Sequence, residues 1–255
     1  MKKLMIAAAV VAAGLGAQAD IASANTVGYN TMGMLPNNYS MYGANFKSTG
    51  SASVLKLSDL QIEGGFTAGT GYQDGDEIEV WKAAGSKYYY YDGGDPDPEY
   101  GWPAGWYDKD DPSEPTTDGI APGEGIWFLR VGAAAPLTFP GEVFTGEKSL
   151  PLLANNYSMV TMPYPANIKI GDLVVYGGAT AGTGYQDGDE LEVWKVSGSK
   201  YYYYDGGDPD PDTGWAAGWY DKDDPSEPTN DVIAPGESCW YLRVGDATTI
   251  DFDGL

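Results

Sequence analysis

Polar and apolar residues alternate along residues 77–82, Glu-Ile-Glu-Val-Trp-Lys. A period of two is typical of a β-strand that buries one face. A short turn sequence at residues 84–86 and a run of four tyrosines at 88–91 follow this strand. This order of strand, turn and aromatic strand predicts a β-hairpin.

Further strands are predicted where apolar and aromatic residues follow turn residues, at 125–131, 137–139 and 157–164. Helical periodicity is missing, and only residues 54–62 and 168–174 could hold a short helical turn. Glycine and proline separate the remaining segments. The pattern therefore predicts an all-β fold.

The predicted strands belong to a tandem repeat. Residues 67–132 return as residues 180–245, with roughly 55 of about 66 positions identical. Weaker similarity extends the repeat in both directions, to units of an ordinary domain size. We therefore expect two tandem homologous β-sandwich or barrel-like domains with long acidic Gly/Pro/Asp-rich loops, at residues 34–142 and 143–255.

The near-identical block includes loops, which normally diverge before strands do. Directly upstream, residues 53–66 and 166–179 share few positions, although a single duplication would have produced both stretches. Either a function has preserved the acidic and aromatic block, or recombination between the copies has kept it uniform.

Residues 1–19 have the pattern of a signal peptide. Two lysines precede an apolar run at residues 4–15, and small residues at 17–19 form a cleavage site. Residues 20–33 would then form an N-terminal extension, which could act as a donor strand. We expect an extracellular or cell-surface protein, with the periplasm as an alternative. No apolar segment has the length of a membrane span.

Removal of this segment leaves twelve basic and 37 acidic residues, a net charge of −25. Such a surface repels nucleic acid, which makes nucleic acid an unsuitable partner.

The chain has no histidine, which excludes Ser-His-Asp and Cys-His nucleophiles and histidine-ligated metals. The single cysteine, Cys239, replaces Ile126 of the first copy and is expected in a buried strand. The sequence therefore predicts a protein that is not an enzyme.

An acidic loop rich in glycine and proline follows the predicted hairpin in each copy. Carboxylates at alternate positions could point at one centre, and Ca²⁺ prefers such oxygen ligands. The glycine falls one position later than in an EF-hand loop. A solvated loop or a loop that contacts another protein are the alternatives. The candidate metal ligands are Asp92, Asp95, Asp97, Glu99, Asp108, Asp110, Asp205, Asp208, Asp210, Asp212, Asp221 and Asp223.

Aromatic residues accompany these loops. Alternate tyrosines of the strand face opposite sides, so one pair is expected in the core and the other on an exposed aromatic shelf. Such a shelf could bind polysaccharide or another protein. The candidate shelf residues are Tyr89, Tyr91, Trp102, Trp106, Tyr202, Tyr204, Trp215 and Trp219.

The segments that precede the two copies suggest self-assembly. If residues 26–34 and 143–150 take equivalent places, head-to-tail association would fill the free edges of the two copies with contacts of the intrachain junction. A contact of that kind propagates as a filament, and strand addition from the extension would strengthen it. The alternative is a two-domain monomer.

These observations favour an exported structural protein that assembles head to tail into a filament or surface layer, with calcium as the candidate stabilising ion. The alternative is an extracellular carbohydrate-binding protein with an aromatic surface shelf. An exported hydrolase that uses two carboxylates is a third hypothesis.

Overall fold

A computed structural model describes residues 26–50, 53–69, 74–95, 101–182, 187–208 and 214–253. The predicted signal peptide and residues 20–25 of the predicted extension lie outside this part. Strands dominate it, and its helical turns are two 3₁₀ helices, Leu57–Asp59 and Ile170–Asp172. The all-β prediction is confirmed. Several open sheets form, and none of them closes into a barrel. None of the helices described there is long and apolar enough to cross a membrane.

The strands of the first half are β1 (Val27–Met32), β2 (Asn38–Gly43), β3 (Phe46–Lys47), β4 (Leu55–Lys56), β5 (Gln61–Ile62), β6 (Glu77–Val80), β7 (Lys87–Asp92), β8 (Gly105–Asp108), β9 (Gly119–Ile120), β10 (Gly125–Arg130) and β11 (Leu137–Val143). Those of the second half are β12 (Lys148–Leu152), β13 (Asn156–Thr161), β14 (Ile168–Lys169), β15 (Val174–Val175), β16 (Glu190–Val193), β17 (Lys200–Asp205), β18 (Gly218–Asp221), β19 (Val232–Ile233), β20 (Ser238–Arg243) and β21 (Thr248–Phe252).

Each half contains an antiparallel five-stranded sheet, in the orders β2-β10-β6-β7-β8 and β13-β20-β16-β17-β18. A smaller sheet joins β1, β11, β3 and β5 in the first half and β12, β21 and β15 in the second. Pairing follows the predicted alternation, with the buried Ile78 of β6 opposite the buried Tyr89 of β7. Buried apolar side chains form one cluster between residues 34 and 139 and another between residues 150 and 252.

The segment before the first copy is paired within its own chain. β1 lies antiparallel to β11, with Met32 opposite Leu137. β12 pairs with β21 in the same way, with Leu150 opposite Ile250. β1 and β12 therefore take equivalent places, as expected, although residue 143 ends β11 of the first half and does not belong to the second leading strand. Because β1 is paired intramolecularly, residues 27–32 do not act as a free donor strand in this structure.

The contacts between the two halves follow an approximate two-fold symmetry. Trp81 packs edge-on against Trp240, with ring centroids 6.2 Å apart. The reciprocal pair, Trp127 and Trp194, packs at 6.4 Å in the same orientation. In the repeat, Trp81 corresponds to Trp194 and Trp127 to Trp240. Each half therefore offers the same surface to the other, as in a symmetric dimer.

Gly43 and its counterpart Thr161 lie at the centre of this contact. A Cβ atom on Gly43 would lie only 1.9 Å from Cγ2 of Thr161, so no larger residue fits there without a shift. A reciprocal contact is closed and does not propagate. The reciprocal contact therefore does not favour the expectation that the intrachain contact would also join separate molecules, and assembly would use other surfaces.

Candidate functional site

The hairpin of β7 and β8 separates the candidate metal ligands into two groups. Asp92 lies opposite Gly105 at one end of the ladder, and Asp108 lies opposite Tyr89 at the other. Three residue steps divide these pairs, a distance of about 10 Å along a strand. The expectation that Asp108 joins the acidic loop around one metal ion is therefore wrong.

The first group organises the base of the acidic loop. The Oδ1 atom of Asp92 accepts a hydrogen bond from the Gly94 amide at 2.8 Å. The Asp95 amide donates to the Trp102 carbonyl at 2.9 Å, which closes the loop. Asp205 and Asp208 make the same contacts in the second half. The remaining candidates in the loop, Asp97, Glu99, Asp210 and Asp212, lie outside the described residues.

The carboxylates of the second group accept hydrogen bonds within turns and pair with lysines. Oδ1 of Asp108 accepts a hydrogen bond from the Asp110 amide, and Oδ2 lies 3.4 Å from Nζ of Lys87. Asp221, Asp223 and Lys200 repeat the arrangement. Within the described ranges, no three acidic or cysteine side chains are close enough to hold a metal ion.

A buried tyrosine and the lysine of the second group contact one further carboxylate. The sequence did not predict this arrangement. The Tyr89 hydroxyl donates to Oδ2 of Asp118 at 2.8 Å, and Lys87 lies 2.9 Å from the same oxygen. The hydrogen bond from Lys87 lowers the pKa of Asp118, and that from Tyr89 adds to the effect. Burial raises the pKa of Tyr89. Identical spacing of these residues in both copies was the only signal available.

The prediction of an exposed aromatic shelf is wrong for half of the residues assigned to it. Tyr89 and Tyr202 are 1% exposed and Trp106 and Trp219 are 3% exposed. They lie on the inward face of the sheet, whereas the alternation left open which face is inward. Tyr91 and Tyr204 are half-buried. Only Trp102 and Trp215, at 49% and 48%, remain well exposed.

A different aromatic cluster occupies the outward face of the sheet. Tyr39 meets Trp127 edge-on at 6.4 Å, and the Tyr88 hydroxyl donates to Oε1 of Glu79 at 3.2 Å. The charge of Glu79 raises the pKa of Tyr88. The second half repeats this cluster with Tyr157, Glu192, Tyr201 and Trp240.

Two pairs of apolar side chains are more exposed than any other large apolar residue described. Val27 and Tyr29 of β1 are 65% and 75% exposed. Val174 of β15 and the adjacent Tyr176 are 57% and 73% exposed. Unlike the clusters above, neither pair is repeated. The positions equivalent to the first pair hold Thr145 and Glu147, and those equivalent to the second hold Gln61 and Glu63.

Comparison of the chain with protein-family models, with curated proteins and with solved structures found no match.

Buried tyrosines should make the fold sensitive to alkali. Burial raises the pKa of Tyr42, Tyr89, Tyr202 and Tyr241 above the ordinary value near 10. Because the unfolded chain loses these protons first, stability is complete below about pH 10 and falls as the pH rises further. We expect tyrosinate absorbance to rise in two phases, the second together with loss of circular dichroism. A single phase with an ordinary midpoint and an intact fold would contradict this expectation.

Proposed function

We propose that the protein is an exported, non-enzymatic structural protein that assembles head to tail into an extracellular filament or surface layer. The observation that carries this proposal is the pair of unlike apolar patches, Val27 with Tyr29 and Val174 with Tyr176. Exposed apolar patches on soluble proteins commonly mark interaction sites. Here each patch occurs in one half only, where the other half is polar.

Unlike patches favour a contact between different surfaces of neighbouring molecules. If the β1 patch of one copy binds the β15 patch of the next, the resulting row of molecules keeps a free β1 patch at one end and a free β15 patch at the other. Such a heterologous contact grows into a filament unless its rotation closes a ring. In the described part of the chain, β1 pairs with β11 alone. Its outer edge could therefore also add a strand from a neighbour.

Export is supported by the basic, apolar and small-residue pattern of residues 1–19. The absence of histidine and of recognisable nucleophile or cofactor motifs in the sequence supports a non-enzymatic role. The separate apolar clusters support two tandem β-sandwich domains. Calcium would act at the acidic loops, where Asp92 and Asp95 of the first half and Asp205 and Asp208 of the second remain candidates.

The repeat itself supplies the variants that test assembly. Tyr29→Glu and Tyr176→Glu each install the residue found at the equivalent position of the other half, Glu147 or Glu63. We expect the protein from Asp20 onward to form polymers, and each variant alone to remain monomeric. Mixed in equal amounts, the two variants should form heterodimers, because each retains the patch that the other has lost. Electron microscopy and sedimentation velocity measure these states.

Tyr88→Glu is the matched control, because it changes a half-exposed tyrosine outside both patches and should leave the polymers intact. Wild-type protein that stays monodisperse both with and without calcium would contradict the proposal. Polymers that survive both substitutions would show that other surfaces join the molecules. Loss of polymers in chelator alone would assign the stabilising role to calcium.

Carbohydrate binding is the second candidate, and the exposure of Trp102 and Trp215 favours it. Indole rings on two equivalent loops could stack on the apolar faces of sugar units. Affinity for a polysaccharide that disappears in the Trp102→Ala, Trp215→Ala double variant, while Tyr29→Glu binds normally, would favour this function over assembly.

A further inference from the structure

Two clefts lie on either side of the approximate two-fold axis between the halves. One, of about 310 Å³, is lined by Trp81, and the other, of about 430 Å³, is lined by Trp194. Each is built from both halves, because Met159 of the second half lines the first cleft and Met41 of the first half lines the second. Volumes of this order suit a small ligand.

The polar groups of the two clefts also correspond. Lys82 and Glu124 line the first cleft as an ion pair at 2.7 Å, and Oε2 of Glu124 accepts the Ala121 amide. In the second cleft, Lys195 and Glu237 form the same pair at 2.8 Å. Each glutamate is therefore balanced by the lysine beside it.

The clefts differ in one charge. Lys148 of β12 lines only the cleft at Trp81. The position of the first half that is equivalent to Lys148 holds Asn30. Lys148 forms no ion pair with any residue that the structure describes. The cleft at Trp81 therefore carries one excess positive charge, in a chain whose full sequence has a net charge of −23.

We propose that the cleft at Trp81 binds a small carboxylate ligand with an apolar ring face, of the hexuronate class. Lys148 would pair with the ligand carboxylate, since an ammonium group on a cleft wall favours an anion. The Trp81 indole, with Met159 and Leu150 nearby, would contact the apolar face of the ring. A neutral sugar would gain nothing from Lys148. This site is independent of the proposed assembly, because neither exposed patch contributes to it.

Glucuronate is the probe, and glucose is the control that keeps the ring and removes the carboxylate. We expect calorimetric titration of the full protein to give one glucuronate site per chain and at least tenfold weaker binding of glucose. Lys148→Asn, which copies the residue at the equivalent position, should weaken glucuronate binding at least tenfold. Trp194→Phe changes the other cleft and should leave the affinity unchanged.

Circular dichroism checks that Lys148→Asn retains its fold, and Lys148→Gln serves as a second variant of similar length. The proposal is overturned if glucuronate does not bind, or if glucose binds equally well. It also fails if both lysine variants bind glucuronate as the wild type does, or if Trp194→Phe loses the site.

Discussion

Replacement of Asp76 or Asp189 by alanine is expected to destabilise the protein by about 3–5 kcal/mol. Both carboxylates are fully buried. Each pairs with an arginine, Asp76 with Arg130 and Asp189 with Arg243. The substitution would leave a buried guanidinium without its counter-ion, which is strongly destabilising.

Backbone hydrogen bonds add to the cost. Oδ1 of Asp76 accepts the Val131 amide at 2.8 Å, and Oδ2 accepts the Thr67 amide at 2.9 Å. Asp189 accepts the corresponding amides of Val244 and Thr180. Each carboxylate thus ties the end of a core strand to the loop that precedes the hairpin. Buried amides left without an acceptor would raise the free energy of the folded state further.

The second half provides a graded comparison. The Tyr241 hydroxyl donates to Asp189 at 2.7 Å, whereas Phe128 occupies the equivalent position in the first half. Tyr241→Phe therefore copies the first half and should cost only about 1.5–3 kcal/mol, because a single hydrogen bond to a charged group is lost.

Urea unfolding followed by circular dichroism measures these free energies. Glu63→Ala, at an exposed position, is the control and should change stability by less than about 0.5 kcal/mol. If Asp76→Ala and Asp189→Ala unfold at the same urea concentration as this control, the buried ion pairs do not stabilise the fold as described.

A signal for these ion pairs was present in the sequence. Arg130 and Arg243 are the only arginines of the chain and hold equivalent positions. The buried aspartates themselves could not be recognised, because 37 acidic residues give no indication of which one lies in the core. An arginine that ends an apolar strand in both copies indicates a buried carboxylate, since arginine suits ion pairs of that kind.

Local patterns predicted local structure well. The alternation at residues 77–82 and the tyrosine run were sufficient to predict β6, β7 and the turn between them, because period and turn residues are short-range properties. They could not determine which tyrosines face inward, because that depends on the sheet packed against them. The assignment of Tyr89 and Trp106 to the surface was wrong for this reason.

The rotation that relates the two halves could not be predicted from the sequence. A tandem repeat is compatible with any rotation between its copies. The two-fold arrangement arises from contacts such as Trp81 with Trp240, which no sequence period reveals. Unequal positions were more informative, since Tyr29 against Glu147 and Tyr176 against Glu63 mark the surfaces on which the halves differ.

Truncation of Trp106 to alanine is expected to destabilise the protein by about 3–5 kcal/mol, the range for large aromatic residues in a core. The indole is 3% exposed and contacts three rings, with centroid distances of 5.0 Å to Phe66, 5.5 Å to Tyr91 and 5.9 Å to Phe128. Alanine would leave a cavity that these rigid rings cannot fill.

Trp102→Ala is the matched control, because it removes the same side chain from a 49% exposed position four residues earlier. It should shift the unfolding midpoint only slightly, and Trp219→Ala should behave like Trp106→Ala. Equal midpoints for Trp102→Ala and Trp106→Ala would contradict the buried position of Trp106. The same comparison governs any test of carbohydrate binding. Affinity lost in Trp106→Ala would reflect unfolding, whereas affinity lost in a folded Trp102→Ala variant would reflect direct contact with the sugar.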